Sequence, residues 1–62
     1  MKIHERLRRS RERRGLSKAE LARRIGCTRE RVGQIENGAR PGLRIALALE
    51  REFPTIKARS WN

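Results

Sequence analysis

Apolar residues recur along this chain at helical intervals, and turn or capping residues cut them into short pieces. Ile3, Leu7 and Ser10 fall on one stripe, which predicts a helix over about residues 2–14, closed by Gly15 in a left-handed turn. Leu16-Ser17-Lys18-Ala19-Glu20 predicts the next start. Ser17 as N-cap and Glu20 three residues later form a capping box, each side chain satisfying an orphan backbone N–H, and Leu16 packs on Leu21 as a staple. Ala19, Leu21, Ala22 and Ile25 face inward, and Gly26 closes this helix after about two turns. Thr28 caps a third helix with Glu30 in its first turn, Val32 and Ile35 inward, and Asn37-Gly38 at its end. After a basic turn, Ala39-Arg40-Pro41, a fourth helix over 42–53 is apolar on most sides and is stopped by Pro54. In the tail, 55–62, only Ile56 and Trp61 are large and apolar, and Thr55 is a candidate cap for one more short turn.

β-branched and aromatic residues never alternate with polar ones over a useful length, so no strand is expected. Two helices of about eight residues joined only by a glycine-bearing turn cannot lie antiparallel and must cross steeply, as in a helix-turn-helix. The expected fold is all-α, a compact four- to five-helix bundle. Residues 1–54 form its domain, and the tail completes either the core or a dimer interface.

Charge changes the picture. The 62 residues carry 17 Lys+Arg against seven Glu and no Asp, a formal charge of +10. A chain this short buries only about 60% of its unfolded surface, leaving no room for a sheltered pocket of about 300 Å³ or more. A typical enzyme is nearly excluded, and no Ser/His/Asp set or carboxylate pair suggests catalysis. Unpaired like charge destabilises a compact state and is usually retained for a polyanion. Fourteen of the cations are Arg, whose planar fork suits phosphates and guanine edges. Nucleic acid is therefore the leading partner before any motif is read. Arg6, Arg8, Arg9, Arg11, Arg13 and Arg14 crowd the first helix, offset only by Glu5 and Glu12. They serve as a solvated face or as a backbone-contacting surface, each reading applying to different arginines.

Cys27 is single and cannot form an intramolecular disulfide; it reads as a small buried hydrophobe in the turn. His4 and Cys27 are too few for zinc, so no metal or cofactor is expected. No apolar run approaches a membrane span, and the basic N-terminus lacks a signal peptide's apolar stretch. The expectation is a complete small cytoplasmic protein opening at Met1, with no membrane contact and no small-molecule substrate.

Residues 15–40, GLSKAELARRIGCTRERVGQIENGAR, closely resemble the helix-turn-helix of phage Cro and repressor proteins, the XRE-like family. The likeness rests on Gly15-Leu16, Ala19-Glu20-Leu21-Ala22, Gly26 and Ile35-Glu36-Asn37-Gly38, and extends from the first helix through the fourth. It implies that the third helix reads the major groove, where each base pair shows a distinct donor and acceptor pattern. At 100° per residue, Glu30, Gly33, Gln34 and Asn37 lie opposite Val32 and Ile35, with Arg29 on the flank and Arg31 near the core edge.

By that resemblance, Gln34, Arg29 and Thr28 occupy base-reading positions, the amide suited to adenine, Arg to guanine, the Thr methyl to thymine. Glu30 either accepts from cytosine's amino group or serves the helix dipole or a neighbouring Arg. Gly33 costs about 1 kcal/mol relative to Ala, and permits either close approach to the groove or a tight crossing with the second helix. Lys18 matches the family's phosphate clamp, strengthened by the positive helix end. Asn37 and Arg40 match further backbone contacts; Arg44 and some first-helix arginines are further candidates. Arg11, also a candidate backbone contact, pairs with Glu36 as in the family's salt bridge between first and third helices, which orients Arg11 if partly buried.

The resemblance implies a sequence-specific double-stranded DNA-binding transcriptional regulator, a phage- or prophage-type repressor on a palindromic operator. One module buries only about 600–1,000 Å² on DNA, so a homodimer is expected, with Leu47, Phe53, Ile56 or Trp61 at its interface unless they finish the monomer core. A DNA-binding antitoxin of a toxin–antitoxin pair is a variant of this reading. The alternative class is an RNA binder acting through the arginine-rich first helix. A third reading is nonspecific coating of membrane or DNA by charge alone, and Ile3 and Leu7 are too few as anchors for an interfacial helix.

Overall fold

The computed structural model describes residues 1–61; Asn62, the end of the expected tail, lies outside them. Four helices, α1 (Ile3–Arg13), α2 (Lys18–Ile25), α3 (Arg29–Glu36) and α4 (Leu43–Glu52), precede a 3₁₀ turn, Ala58–Trp61. No strand occurs among the described residues. The all-α, helix-turn-helix expectation holds, with each helix within a residue or so of its expected bounds.

Local chemistry sets those bounds. Ser17 Oγ accepts from the Glu20 N–H at 3.0 Å while the Ser17 N–H donates to Glu20 Oε1 at 2.8 Å. Thr28 Oγ1 accepts from the Arg31 N–H at 3.1 Å. Between these caps, Gly26 adopts φ +79°, a left-handed conformation that a side chain would strain, and its N–H donates to the Ala22 carbonyl. The connection is thus reduced to Gly26, Cys27 and Thr28, and α3 packs back on α2. Cys27 is half-buried against the core, and burial raises its thiol pKa, which fits a small apolar filler.

The core joins Leu7 of α1, Leu21, Ala22 and Ile25 of α2, Val32 and Ile35 of α3, and Ile45, Ala46 and Leu49 of α4. α2 sits centrally, packed on both α3 and α4, while α1 packs on α3. Phe53, Ile56 and Trp61 are buried in the same core, so three of the four expected interface candidates are occupied within the monomer. The reason is supply. With one Phe and one Trp in the chain, the base of α4 is closed by recruiting the tail. Each large apolar side chain so buried contributes about 1.5–3 kcal/mol.

Two details depart from expectation. Thr55 does not cap the final turn; the Ala58 N–H donates instead to the Glu50 carboxylate at 2.9 Å, and the Thr55 carbonyl accepts from Arg6. α4 is apolar on most sides yet buries only one, leaving Leu43 and Leu47 at 74% and 49% exposure.

Candidate nucleic-acid interface

α3 turns Val32, Ile35 and Glu36 inward, so its opposite side carries Glu30, Gln34 and, at the C-cap, Asn37, all exposed, with Gly33 half-buried among them. Thr28 and Arg29 are exposed at the N-terminal end. Among the described residues, the side chains of Arg29, Glu30 and Gln34 have no hydrogen-bond partner and no ion pair within the protein. The salt-bridge reading of Glu30 is thereby removed, leaving the helix-dipole and groove-facing readings. Thr28 spends its hydroxyl on the cap; its methyl stays available.

Lys18, the first residue of α2, lies beside the middle of α3. Its Nζ is 4.0 Å from the position a Cβ would occupy at Gly33, an ordinary contact with the far end of a flexible chain. A tight helix crossing therefore does not explain the glycine. Lys18 and Gly33 bring an ammonium, the positive end of α2 and a stretch of bare backbone together on one surface. That combination suits a phosphate next to an inserted helix.

Arg11 requires a correction. Expected as a backbone contact, it is buried, with its guanidinium held inside the protein. Nε donates to Glu36 Oε2 at 2.6 Å, Nη2 to Glu36 Oε1 at 3.2 Å, and Nη1 to the Leu16 carbonyl at 2.8 Å. The hydrogen bond to Glu36 raises the pKa of Arg11, which stays charged and committed. Its place at the surface is taken by Arg8, half exposed, whose Nε lies 3.6 Å from Glu36 Oε1 and whose Nη2 donates to Asn37 Oδ1 at 3.4 Å. Arg8 is three residues before Arg11 and so on the same side of α1. That spacing was the available signal, hidden among the five arginines of α1.

Arg40, in the connection after α3, is exposed, and Arg31 Nη2 donates to its carbonyl at 3.1 Å. Arg31 thus ties α3 to the loop that carries Arg40. Arg44 sits apart, its Nη1 3.8 Å from where a Cβ would stand on Gly26, in a groove shared with Arg23, Arg24, Leu47 and Arg51. The structure gathers Thr28, Arg29, Glu30, Gln34, Lys18, Asn37 and Arg40 around α3, places Arg44 at the turn, and withdraws Arg11.

With this geometry in place, the comparison with known families is decisive: the helix-turn-helix family, of the XRE type, matches residues 7–58. The chain belongs to the helix-turn-helix family. No curated protein and no solved structure matches it. The match runs from within α1 to the start of the 3₁₀ turn, so it covers α2, α3 and α4 and stops short of Trp61.

The helix-turn-helix family comprises DNA-binding transcription regulators, and the arrangement suits that chemistry. Lys18, Arg29, Arg40 and Arg44 are within salt-bridge distance of no carboxylate among the described residues, so their charge is free for phosphates. No group of three His, Cys, Asp or Glu side chains is placed to hold a metal, and no helix is long and apolar enough to cross a membrane, among the described residues.

Proposed function

We propose that this chain is a sequence-specific repressor of cytoplasmic, phage or prophage type that inserts α3 into the major groove of a palindromic operator as a homodimer. Thr28, Arg29, Glu30 and Gln34 contact base edges; Lys18, Asn37, Arg40 and Arg8 hold phosphates, and Arg44 meets the backbone beyond the turn. One observation carries this reading: the unpartnered polar row on α3 beside Lys18, set against a helix whose other side is fully buried. A carboxylate among phosphates is costly unless it accepts a hydrogen bond, and Glu30 has no other partner, which supports base readout over charge-driven coating.

The dimer reading rests on Leu43 and Leu47, exposed one turn apart on α4. RNA binding through α1 alone has less support, because Leu7 and Arg11 lock that helix into the core. The antitoxin variant keeps the same DNA face and differs only in a further partner. Selection of bound duplexes from a random library is the test. Enrichment of an inverted repeat supports the proposal; recovery of unselected sequence, or of single half-sites only, removes respectively the specificity or the dimer.

A further inference from the structure

The reading face does not account for the charge on α1. At about 100° per residue, Arg6 and Arg8 point roughly 160° apart around the helix axis. Arg8 reaches Glu36 and Asn37 at the end of α3, whereas Arg6 reaches the opposite way and donates from Nη2 to the Thr55 carbonyl at 3.1 Å. Arg9 and Arg13 continue the Arg6 side. Together with Ser10, Thr55 and Met1 they line a surface hollow of about 240 Å³ that no carboxylate borders. Neither Arg9 nor Arg13 has an ion pair among the described residues. Arg14, by contrast, is spent on the Glu52 carbonyl and carboxylate and on the Phe53 ring.

We infer that the Arg6–Arg9–Arg13 side of α1 is a second phosphate-binding surface, and that one protomer holds a second DNA duplex there. The inference rests on α3 reading DNA on the other side. Arg6 is preorganised by its bond to the 54–55 turn, which lowers the entropy lost when it binds an anion. From Arg6 to Arg13 the row spans about 10 Å of helix, which matches about three successive phosphates of one strand better than a single ion. The duplex seated on α3 cannot supply those phosphates. The protein measures 24 × 21 × 20 Å, and DNA with a persistence length of about 150 bp does not curl around so small a body. The second surface offers arginine forks and a hydroxyl but no projecting reading helix, so it binds without regard to sequence.

The test uses full-length protein, a biotinylated operator-bearing duplex on beads, and a fluorescent duplex of unrelated sequence in solution. Wild-type protein should retain the fluorescent duplex on the beads. The triple variant Arg6→Gln, Arg9→Gln, Arg13→Gln should still occupy the beads yet lose capture at least tenfold, and the salt slope of capture should fall by nearly three. The single variant Arg9→Glu, at a residue with no partner in the fold, should show the same loss in part. Absence of capture by wild-type protein overturns the inference, as does capture that survives both variants, the result expected if paired protomers did the bridging. Loss of bead occupancy by the triple variant also overturns it, since the row would then belong to the reading face. Capture of a fluorescent RNA hairpin in preference to the duplex overturns the choice of DNA. Failure of wild-type protein to occupy the beads at all is a failure of the reading face and is scored separately, by direct retention of the fluorescent duplex on immobilised protein.

Discussion

Arg11 and Glu36 face each other in a two-pronged ion pair, Nε to Oε2 at 2.6 Å and Nη2 to Oε1 at 3.2 Å, with 8% and 1% of each residue exposed. The pair crosses from α1 to the buried side of α3. Forming it from hydrated ions costs desolvation that the pair's attraction roughly offsets, so it contributes orientation more than net stability. Removing one partner is another matter, because it strands a buried charge.

Arg11→Ala or Glu36→Ala should each cost about 3–5 kcal/mol, while Arg11→Met with Glu36→Leu should recover most of that loss. A domain of this length has about 3–9 kcal/mol of stability in all, so either single variant approaches unfolding at room temperature. Urea titrations of the two single variants and the double variant give the comparison. Single-variant costs below about 1 kcal/mol would mean that water reaches the pair in solution.

Base readout and phosphate contact separate by mutation. Gln34→Ala and Glu30→Ala should erode discrimination among operator bases by about 1–3 kcal/mol per position and leave nonspecific affinity nearly intact. Lys18→Ala, Arg40→Ala and Arg8→Ala should weaken every sequence alike and flatten the salt dependence by about one unit of slope each. Competition titrations on matched and altered operators at several salt concentrations distinguish the two. Uniform weakening by the α3 variants would place that helix outside the groove.

Gly33 offers a cleaner separation of fold from function. A Cβ there meets only Lys18 Nζ at 4.0 Å, and the backbone is ordinary helix, so Gly33→Ala should stabilise the fold by up to about 1 kcal/mol. If the glycine serves close approach of α3 to DNA, the same variant binds its operator more weakly despite a higher melting temperature. Tighter or equal binding would reduce Gly33 to a tolerated defect.

These contrasts show where sequence reasoning reached and where it stopped. Ser17, Glu20, Gly26 and Thr28 were legible because each acts on backbone groups within three or four residues. Val32 and Ile35 were legible by periodicity and, once placed inward, fixed the outward row of α3. Arg11 forms the pair with Glu36 that the family resemblance implied, but its expected backbone contact fails because that pair buries it, and periodicity within α1 cannot report that Arg8 is the arginine left at the surface beside Glu36. Ile56 and Trp61 lie beyond the capped helices, where no local signal states whether an apolar residue closes its own core or another protomer's. Trp61 is buried with Nε1 lacking any hydrogen-bond partner, a cost the sequence gives no hint of.

The capping carboxylates confer an acid-side pH dependence. The backbone hydrogen bond from Ser17 holds the Glu20 carboxyl below its ordinary value of 4.5, and that from Lys2 does the same for Glu5. A depressed folded value means the contribution is complete above the unfolded pKa and is lost as pH falls through the folded one. Glutamine keeps an acceptor in the capping box but cannot titrate. The Glu5→Gln, Glu20→Gln double variant should therefore lose less melting temperature than wild type between about pH 6 and about pH 3. Parallel melting curves for the two proteins would show that these carboxylates are not the ones responsible.

Self-association should run against the usual effect of salt. Leu43 and Leu47 are the apolar pair available on α4, but Arg44 and Arg51 stand beside them, and a two-fold contact sets those cations against their copies. Repulsion between exposed charges is screened within a Debye length of about 8 Å at physiological ionic strength and about 3 Å at 1 M. Free protein should therefore be mainly monomeric at low salt and associate more tightly as salt rises, while operator DNA, by neutralising the same cations, should promote the dimer at low salt. Leu47→Asp should abolish association under both conditions, leave the melting temperature near that of wild type, and reduce operator affinity to that of a single half-site. Sedimentation equilibrium across salt concentrations, with and without operator, reads the association, while a thermal melt and an operator titration read the other two outcomes. A monomer throughout would remove the dimer, and a dimer indifferent to Leu47 would move the contact away from α4.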